Sequence, residues 1–137
     1  TYLTEEEYIV KKEDFLNATD FEHKVCNAFN YIDMHNEETG CDVYFHESKD
    51  LLPKVPFRAL IPKGSSRITV AGRIVSADRV ALAGIRAQCT CMAMGQAAGA
   101  IAALSAKSGK DAADLEITHI HGLLKEHGAI VPDGVVK

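Results

Sequence analysis

The chain has 137 residues, of which 47% are hydrophobic and 25% are charged, and its formal net charge is −4. This composition is typical of a globular chain of at most one ordinary domain, and the acidic balance argues against nucleic acid as a partner. The four cysteines lack a paired framework; this indicates a reducing compartment and predicts a cytoplasmic location, although an export signal upstream of Thr1 would not be visible.

The N-terminal part predicts one helix after a short β-like run at residues 8–10. Thr19 followed by Glu22 matches a capping box, a pattern that begins helices. Apolar residues then recur at helical spacing. We therefore expect a helix over residues 20–29.

The next part predicts extended structure on either side of a turn. YIDMH at 31–35 marks the exit from the helix into a strand or turn, NEETG at 36–40 is a turn, and CDVYFH at 41–46 predicts a strand. The residues that follow, ESKDLLPK at 47–54, are typical of a loop.

The middle of the chain predicts further extended structure and one short helix. FRALIP at 57–62 lies between prolines, which disfavour a helix there, so we expect a short extended run. RITVAGRIV at 67–75 is rich in β-branched residues and predicts a strand, whereas SADRVALAGIRAQ at 76–88 predicts a short helix.

The C-terminal third predicts two helices and a last strand. The first helix covers residues 89–109 and ends at Gly109. The second covers residues 117–128, with Thr118 as a candidate cap. AIV at 129–131 is a candidate final strand.

The nearly uncharged stretch AQCTCMAMGQAAGA at 87–100 leaves three alternatives open: a membrane segment, a thiol or metal site, or a closely packed helix. The apolar run Cys89–Ala106 falls short of the roughly 20 strongly apolar residues that a bilayer requires, so we expect no membrane partner. Gly95 and Gly99 are four residues apart and share one side of a helix, which favours close packing against a sheet or another helix. A helix start near Thr90–Met92 would present a positive end to a phosphate, a carboxylate or a ring that takes on negative charge.

The thiol and metal alternatives have weaker support. Cys89 and Cys91 form a CxC pair without a second ligand pair at zinc spacing. Cysteine is often buried, so we expect both thiols to be structural. His119 and His121 are two residues apart and would point to different faces of a helix. We therefore predict no metal site.

Three blocks and a weaker fourth carry a family resemblance: PFRALIPKG at 56–64, ITVAGRIVSAD at 68–78, IRAQCTCMAMGQAAGAIAAL at 85–104, and EDFLNATDF to YIDMH at 13–35. In this order they resemble the C-terminal segment of FAD-dependent oxidoreductases of the glutathione-reductase-like superfamily, which are related to the fumarate reductase and succinate dehydrogenase flavoproteins. The resemblance implies an α/β fold, or α+β for an isolated fragment. Residues 1–55 would be a substrate-side segment, and residues 56–137 the C-terminal part of the FAD-binding domain.

The resemblance also implies where the cofactor would lie. Three residues would contact the ribityl-pyrophosphate tail of FAD: Gly72, Arg73 and Ser76. The backbone of four residues would approach the flavin ring: Met92, Ala93, Met94 and Gly95. The helix dipole there would stabilise the negative charge of a reduced flavin.

Three residues are implied on the reactive side of the flavin. Arg86 would lie near the ring, and Asp33 and His35 are candidates for proton transfer. Histidine suits this role because it accepts and donates protons near neutral pH.

The chain departs from the family pattern in one important respect. The GxGxxG motif that follows the first strand of an FAD-binding domain is absent. We therefore expect a C-terminal fragment of a flavoprotein that transfers hydride to or from a small organic substrate, with the nucleotide-binding half supplied by the same protein or by a partner subunit. Alone it would hold FAD weakly or not at all, and its exposed apolar surfaces would favour self-association.

Two other functions stay open at this point. One is a non-catalytic module of the same ancestry that acts by assembly with a partner. The other is a thiol-based redox or metal-binding domain that uses Cys89 and Cys91.

Overall fold

The computed structural model describes residues 8–38, 40–44 and 52–132. Along these ranges a short helix is followed by four strands and then by three helices: α1 (Lys12–Leu16), β1 (Lys24–Asn27), β2 (Ile32–Asn36), β3 (Gly40–Tyr44), β4 (Lys54–Pro56), α2 (Arg79–Ile85), α3 (Gln88–Ser108) and α4 (Ile117–Glu126). Two 3-10 turns complete the set, at Phe57–Leu60 and Ala112–Asp114. The fold is a mixed arrangement of helices and small antiparallel sheets, which agrees with the α+β alternative predicted from the sequence.

The strands form two small antiparallel sheets. In one sheet β1 pairs with β4, and in the other β2 pairs with β3. The β2–β3 pair is a regular hairpin whose register runs from Ile32 opposite Tyr44 to Asn36 opposite Gly40. The strands predicted from YIDMH and CDVYFH, and the turn between them, are therefore confirmed for the described residues.

The helix predicted over residues 20–29 does not form, and β1 occupies its second half. The helical pattern would have placed Phe29 on a buried face, but the Phe29 side chain is 74% exposed. Consecutive residues of β1, including Val25 and Cys26, are buried instead, because β1 pairs with β4 in a sheet and packs against α3. Strand pairing thus overrides the local helical pattern.

The three longest helices form close to their predicted positions, and their ends are informative. Asp78 caps α2 through a side-chain oxygen that accepts from two backbone amides. Gly109 ends α3 in the left-handed conformation, with φ 71°, as the sequence predicts. Helix α3 begins at Gln88, slightly before the expected start. Helix α4 follows Glu116, so Thr118 is inside the helix and is not its cap.

Three predicted extended runs are corrected by the structure. Residues 67–75 and 129–131 form no strand, and Phe57–Leu60 is a 3-10 turn that follows Pro56 at its N-cap. A strand requires a partner along its length. The first run instead makes isolated backbone bonds outside a ladder, from the Val70 amide to the Leu60 carbonyl and from the Val75 amide to the Gly72 carbonyl.

The two parts of the chain share one hydrophobic core. Phe15 and Ile32 from the N-terminal part pack in the same cluster as Ile85, Ile101 and Ile120 from the C-terminal part. A parallel bridge between Val10 and Ala77 also joins them. The boundary expected near residue 55 therefore separates two segments of sequence that fold together.

The close packing expected at Gly95 and Gly99 occurs elsewhere. A Cβ placed at either glycine would meet no described atom within 4 Å. In contrast, a Cβ placed at Gly84 in α2 would lie 2.4 Å from the Phe15 ring. The glycine that permits a close approach is therefore in α2, and the glycine face of α3 is open.

Helix α3 is longer than the apolar run that suggested it. It has 21 residues, and by length and composition alone it is long and apolar enough to cross a membrane. The length argument against a span is therefore wrong. A core helix passes the same test, and α3 buries Met94, Ala97 and Ile101 against the rest of the fold. That the chain has no membrane partner stays a prediction.

Candidate functional site

An open pocket of about 240 Å³ lies between β2 and α2. Seven residues line it: Asp33, Met34, His35, Arg79, Leu82, Ala83 and Arg86. The three residues that the sequence assigned to the reactive side, Asp33, His35 and Arg86, are therefore in one place, although they are up to 53 positions apart in the chain.

Strand alternation determines which side chains of β2 reach the pocket rim. Successive residues of a strand point to opposite faces. Ile32 is fully buried and Met34 packs against the core, so the side chains of Asp33 and His35 belong to the opposite face. Asp33 is half-buried and His35 is exposed.

Helix periodicity places the other wall of the pocket. Arg79 and Arg86 are seven residues apart, which is close to two full turns, so they share one face of the helical segment. Leu82 and Ala83 lie between them on that face and provide an apolar floor. Because Asp78 caps the helix, this wall is held at its N-terminal end.

Two side chains restrain Asp33. The Arg86 guanidinium donates through Nη2 to the Asp33 carbonyl oxygen at 3.3 Å. The Cys41 thiol donates to the Asp33 carboxylate oxygen Oδ1 at 2.9 Å. Cys41 lies directly opposite His35 in the hairpin, so the thiol is a neighbour of both Asp33 and His35.

The pocket has more positive than negative charge. Two arginines, Arg79 and Arg86, and one aspartate, Asp33, are among its lining residues. Within the described ranges, the salt bridges involve other carboxylates, at Asp20 and Glu22. Neither arginine forms a salt bridge with a carboxylate in the part of the chain that the structure describes, and two such guanidinium groups beside an apolar floor can bind a small anion with an apolar body.

Sequence reasoning missed two residues of this site, Arg79 and Cys41. The seven-residue spacing from Arg79 to Arg86 was the available signal for the first, once α2 is recognised as a helix. Cys41 had no such signal, because its position opposite His35 depends on the hairpin register.

The start of α3 is a second exposed feature near the pocket. The first helical bond runs from the Cys91 amide to the Ala87 carbonyl, so the amides of residues 88–90 have no acceptor inside the helix. Ala87 supplies no side-chain cap. Gln88 and Cys89 are exposed and Thr90 is buried, so the positive end of α3 is available to an anionic group at its first two residues.

The residues expected to contact the flavin ring lie deeper in α3. The amides of Met92, Ala93, Met94 and Gly95 donate to carbonyls one turn earlier, as in any helix interior. Met92 is exposed, whereas Met94 is fully buried. Their contact with a cofactor stays a prediction, and the amides that lack a helical partner are those of residues 88–90.

The residues expected to contact the cofactor tail differ in exposure. Gly72 has φ 83°, and a Cβ there would meet no described atom within 4 Å, so the backbone is open to a ligand. Arg73 is exposed, and Ser76 is buried with its carbonyl accepting from the Val10 amide. Burial raises the pKa of the Cys91 thiol, and the Arg73 charge opposes that rise. Arg73 therefore acts electrostatically on the first turns of α3.

The thiols and histidines do not assemble into a metal centre in the described residues, where no group of three or more His, Cys, Asp or Glu side chains could hold a metal ion. Cys89 is exposed, contrary to its expected burial, and Cys91 is half-buried with its thiol 3.4 Å from the Arg86 carbonyl oxygen. His121 Nε2 lies 2.7 Å from the Lys24 carbonyl oxygen, whereas His119 is exposed.

Comparison with protein families matches residues 4–124 to the model of the FAD dependent oxidoreductase family. Comparisons with curated proteins and with solved structures find no significant match.

Proposed function

The chain belongs to the FAD-dependent oxidoreductase family, and on this premise we propose that it forms the C-terminal part of a flavoprotein, bearing the flavin-ring side and the substrate side of the active site. The observation that carries the proposal is the convergence of Asp33, His35 and Arg86 in one pocket. The sequence blocks at 56–64, 68–78 and 85–104 favour the glutathione-reductase-like superfamily, with a relation to the fumarate reductase flavoproteins.

The residues near the start of α3 fit an anionic cofactor. The amides of the exposed Gln88 and Cys89, the exposed Arg73 and the open backbone at Gly72 are all suited to phosphate or to an anionic ring. FAD, when bound, supplies a two-electron centre for hydride transfer. The protein's own part would be to hold the cofactor at Gly72, Arg73 and the α3 start.

The pocket between β2 and α2 suits a small organic substrate with an anionic group. Arg79 and Arg86 would bind and orient that group, and Leu82 and Ala83 would contact its apolar body. His35, at the exposed rim, would donate or accept the proton that accompanies hydride transfer. Asp33 would orient this exchange from the same face of β2.

A partner that contributes the nucleotide-binding half is part of the proposal. The chain lacks the GxGxxG motif, and α3 exposes Gly95, Gly99 and the Met92 side chain, which is 69% exposed. Such a small and apolar helix face suits close packing against another helix or sheet. In isolation the same face would favour self-association, which light scattering over a range of concentrations would detect.

A titration with FAD tests the cofactor proposal directly. We expect amide chemical shifts to change at residues 72–73 and 88–90 when millimolar FAD is added to the isotopically labelled chain. Arg73→Gln should weaken the effect, whereas Arg67→Gln, a change at an exposed arginine in a different cavity, should not. Unchanged shifts at the α3 start at saturating FAD would count against this role.

A titration with sodium succinate tests the substrate side separately. Succinate is a small dianion whose apolar body matches the floor of the pocket. Both Arg79→Gln and Arg86→Gln should weaken its binding, with Arg67→Gln again as the matched control. Equal binding by all four proteins would contradict an anion site in this pocket.

The non-catalytic alternative is favoured by one observation, the open glycine face of α3. It predicts that the chain binds the nucleotide-binding half tightly and that the resulting complex takes up no FAD. A complex that turns yellow with FAD would exclude this alternative.

A further inference from the structure

We infer that Cys41 is a positioning residue of the pocket, whose thiol holds the Asp33 carboxylate on the hairpin and so leaves the Arg86 guanidinium available to an anionic substrate. This inference rests on the proposed function of the pocket. It concerns a residue that the sequence pattern did not connect with the site.

The geometry of the hairpin places the thiol between the polar residues of β2. Cys41 is directly opposite His35, and Asp33 is opposite Val43, so all four side chains share one face of the sheet. Cys41 and Asp33 are diagonal neighbours, and the 2.9 Å distance from Sγ to Oδ1 bridges that diagonal. The thiol thus directs the carboxylate along the hairpin, toward β3.

The alternative partner of the carboxylate is Arg86. Its guanidinium already reaches Asp33, but it bonds the carbonyl oxygen, at 3.3 Å. A carboxylate normally prefers a guanidinium to a thiol, because hydrogen bonds between two ionised groups are the stronger ones. Without the thiol, rotation of the Asp33 side chain would bring its carboxylate to the same guanidinium.

That rotation would change the charge of the pocket. An ion pair between Asp33 and Arg86 would neutralise one of the two cations that line it, and it would place a negative group where an anion is to bind. The contact of Cys41 with Asp33 therefore preserves the excess of positive charge. It also keeps the carboxylate beside His35, where a proton would be exchanged.

The experiment measures succinate binding by chemical-shift titration of the full chain and its variants. Cys41→Val removes the donor at nearly constant volume and should weaken binding about tenfold, the effect expected from losing a hydrogen bond to a charged group. Cys41→Ser restores a donor and should stay close to the wild-type affinity. Thr118→Val removes an exposed hydroxyl donor inside α4, outside the pocket, and serves as the matched control without effect.

A second background separates positioning from a structural role. In the Asp33→Asn variant, residue 33 has no carboxylate that could form an ion pair with Arg86. Adding Cys41→Val to that variant should therefore cause no further loss of succinate binding. A loss of equal size in both backgrounds would indicate a general disturbance of the hairpin and would overturn the inference.

The remaining outcomes are also decisive. If the wild type binds succinate and Cys41→Val binds it equally well, the inference on Cys41 falls and the proposed pocket stands. If the wild type does not bind succinate but its α3 start responds to FAD, the anion pocket and the inference both fall, while the cofactor role is retained.

Discussion

Helices α2 and α3 both contain glycine in their interiors, and they use it in opposite ways. In α2, Gly84 lies directly under the Phe15 ring, with a Cβ position only 2.4 Å from it. In α3, Gly95 and Gly99 face open space. The same residue type thus permits close packing in one helix and leaves an unpartnered surface in the other.

The ends of the two helices differ in the same way. Asp78 caps α2 and also accepts from the Lys12 amide, which ties α2 to α1. Helix α3 begins after Ala87 without a side-chain cap. Helix α2 is thus packed and capped by contacts within the chain, whereas the described residues supply neither a close contact at the α3 glycines nor a side-chain cap at its start.

The largest expected effect is that of Gly84→Ala. The added methyl group would overlap the Phe15 ring, and overpacking of this kind costs about 1–3 kcal/mol. Urea unfolding should show this loss in the free energy of unfolding. Phe15→Leu in the same protein should recover part of it, and a strictly additive double variant would argue against the close contact as the cause.

The next effect concerns the caps. Asp78→Ala removes the acceptor of two α2 amides and of the Lys12 amide, and we expect a loss of about 2 kcal/mol. Ala87→Asp should instead stabilise α3 by about 1 kcal/mol, because that helix start has no cap to lose. Thermal unfolding of both variants should show a lower melting temperature for Asp78→Ala and a higher one for Ala87→Asp. Because the new carboxylate at position 87 would occupy the amides at the α3 start, Ala87→Asp should also weaken any binding of FAD there.

Smaller changes are expected at the open glycines. Gly95→Ala and Gly99→Ala should each stabilise the isolated chain by about 0.5–1 kcal/mol, because alanine favours a helix and meets no described atom. The same variants should reduce self-association, since the added methyl groups hinder close packing. If both changes destabilise the chain at a concentration where it is monomeric, the face is not open.

The last prediction compares a buried thiol, Cys26 in β1, with an exposed thiol, Cys89 in α3. It concerns the smallest effect on stability near neutral pH, and it is the easiest to measure. Burial, together with the neighbouring Cys91 thiol, raises the pKa of Cys26 to about 12. Because the folded protein favours the neutral thiol of Cys26, that thiol contributes fully to the free energy of unfolding below its ordinary pKa of 9.0. The contribution is lost as the pH rises toward the folded-state pKa of about 12.

Alkylation by iodoacetamide at pH 8.5, followed by mass spectrometry, measures this difference. The exposed Cys89 should react readily, and the buried Cys26 should react only when the chain unfolds. Urea provides the control, because it should make both thiols reactive. Equal rates in the native protein would contradict the packed environment of Cys26.

Local patterns predicted the helices of the C-terminal part well. Asp78 before α2 and Gly109 after α3 act at the helix ends through contacts of a few residues, so their effect is visible in the sequence. The strand at Lys24–Asn27 was missed because β4, which pairs with it, follows at Lys54–Pro56. A pattern within ten residues cannot show such a partner.

The site was predicted in part for the same reason. Asp33, His35 and Arg86 were proposed through a family resemblance, and the structure brings them into one pocket. Their roles stay predictions. Cys41 enters the site only through the hairpin register. The Arg86 guanidinium donates to the backbone carbonyl of Asp33, a contact that residue types alone do not indicate, because an arginine and an aspartate would suggest a bond to the carboxylate.

The sequence by itself determined the family, the end of α3 at Gly109 and the absence of a GxGxxG motif from this chain, because each depends on residue types at short and definite spacing. Only the tertiary structure decided which glycine is packed and which thiol holds Asp33. It also decided whether Val25 belongs to a helix or a strand. These outcomes depend on contacts between residues far apart in the chain, whose energies exceed the local preferences that a sequence pattern records.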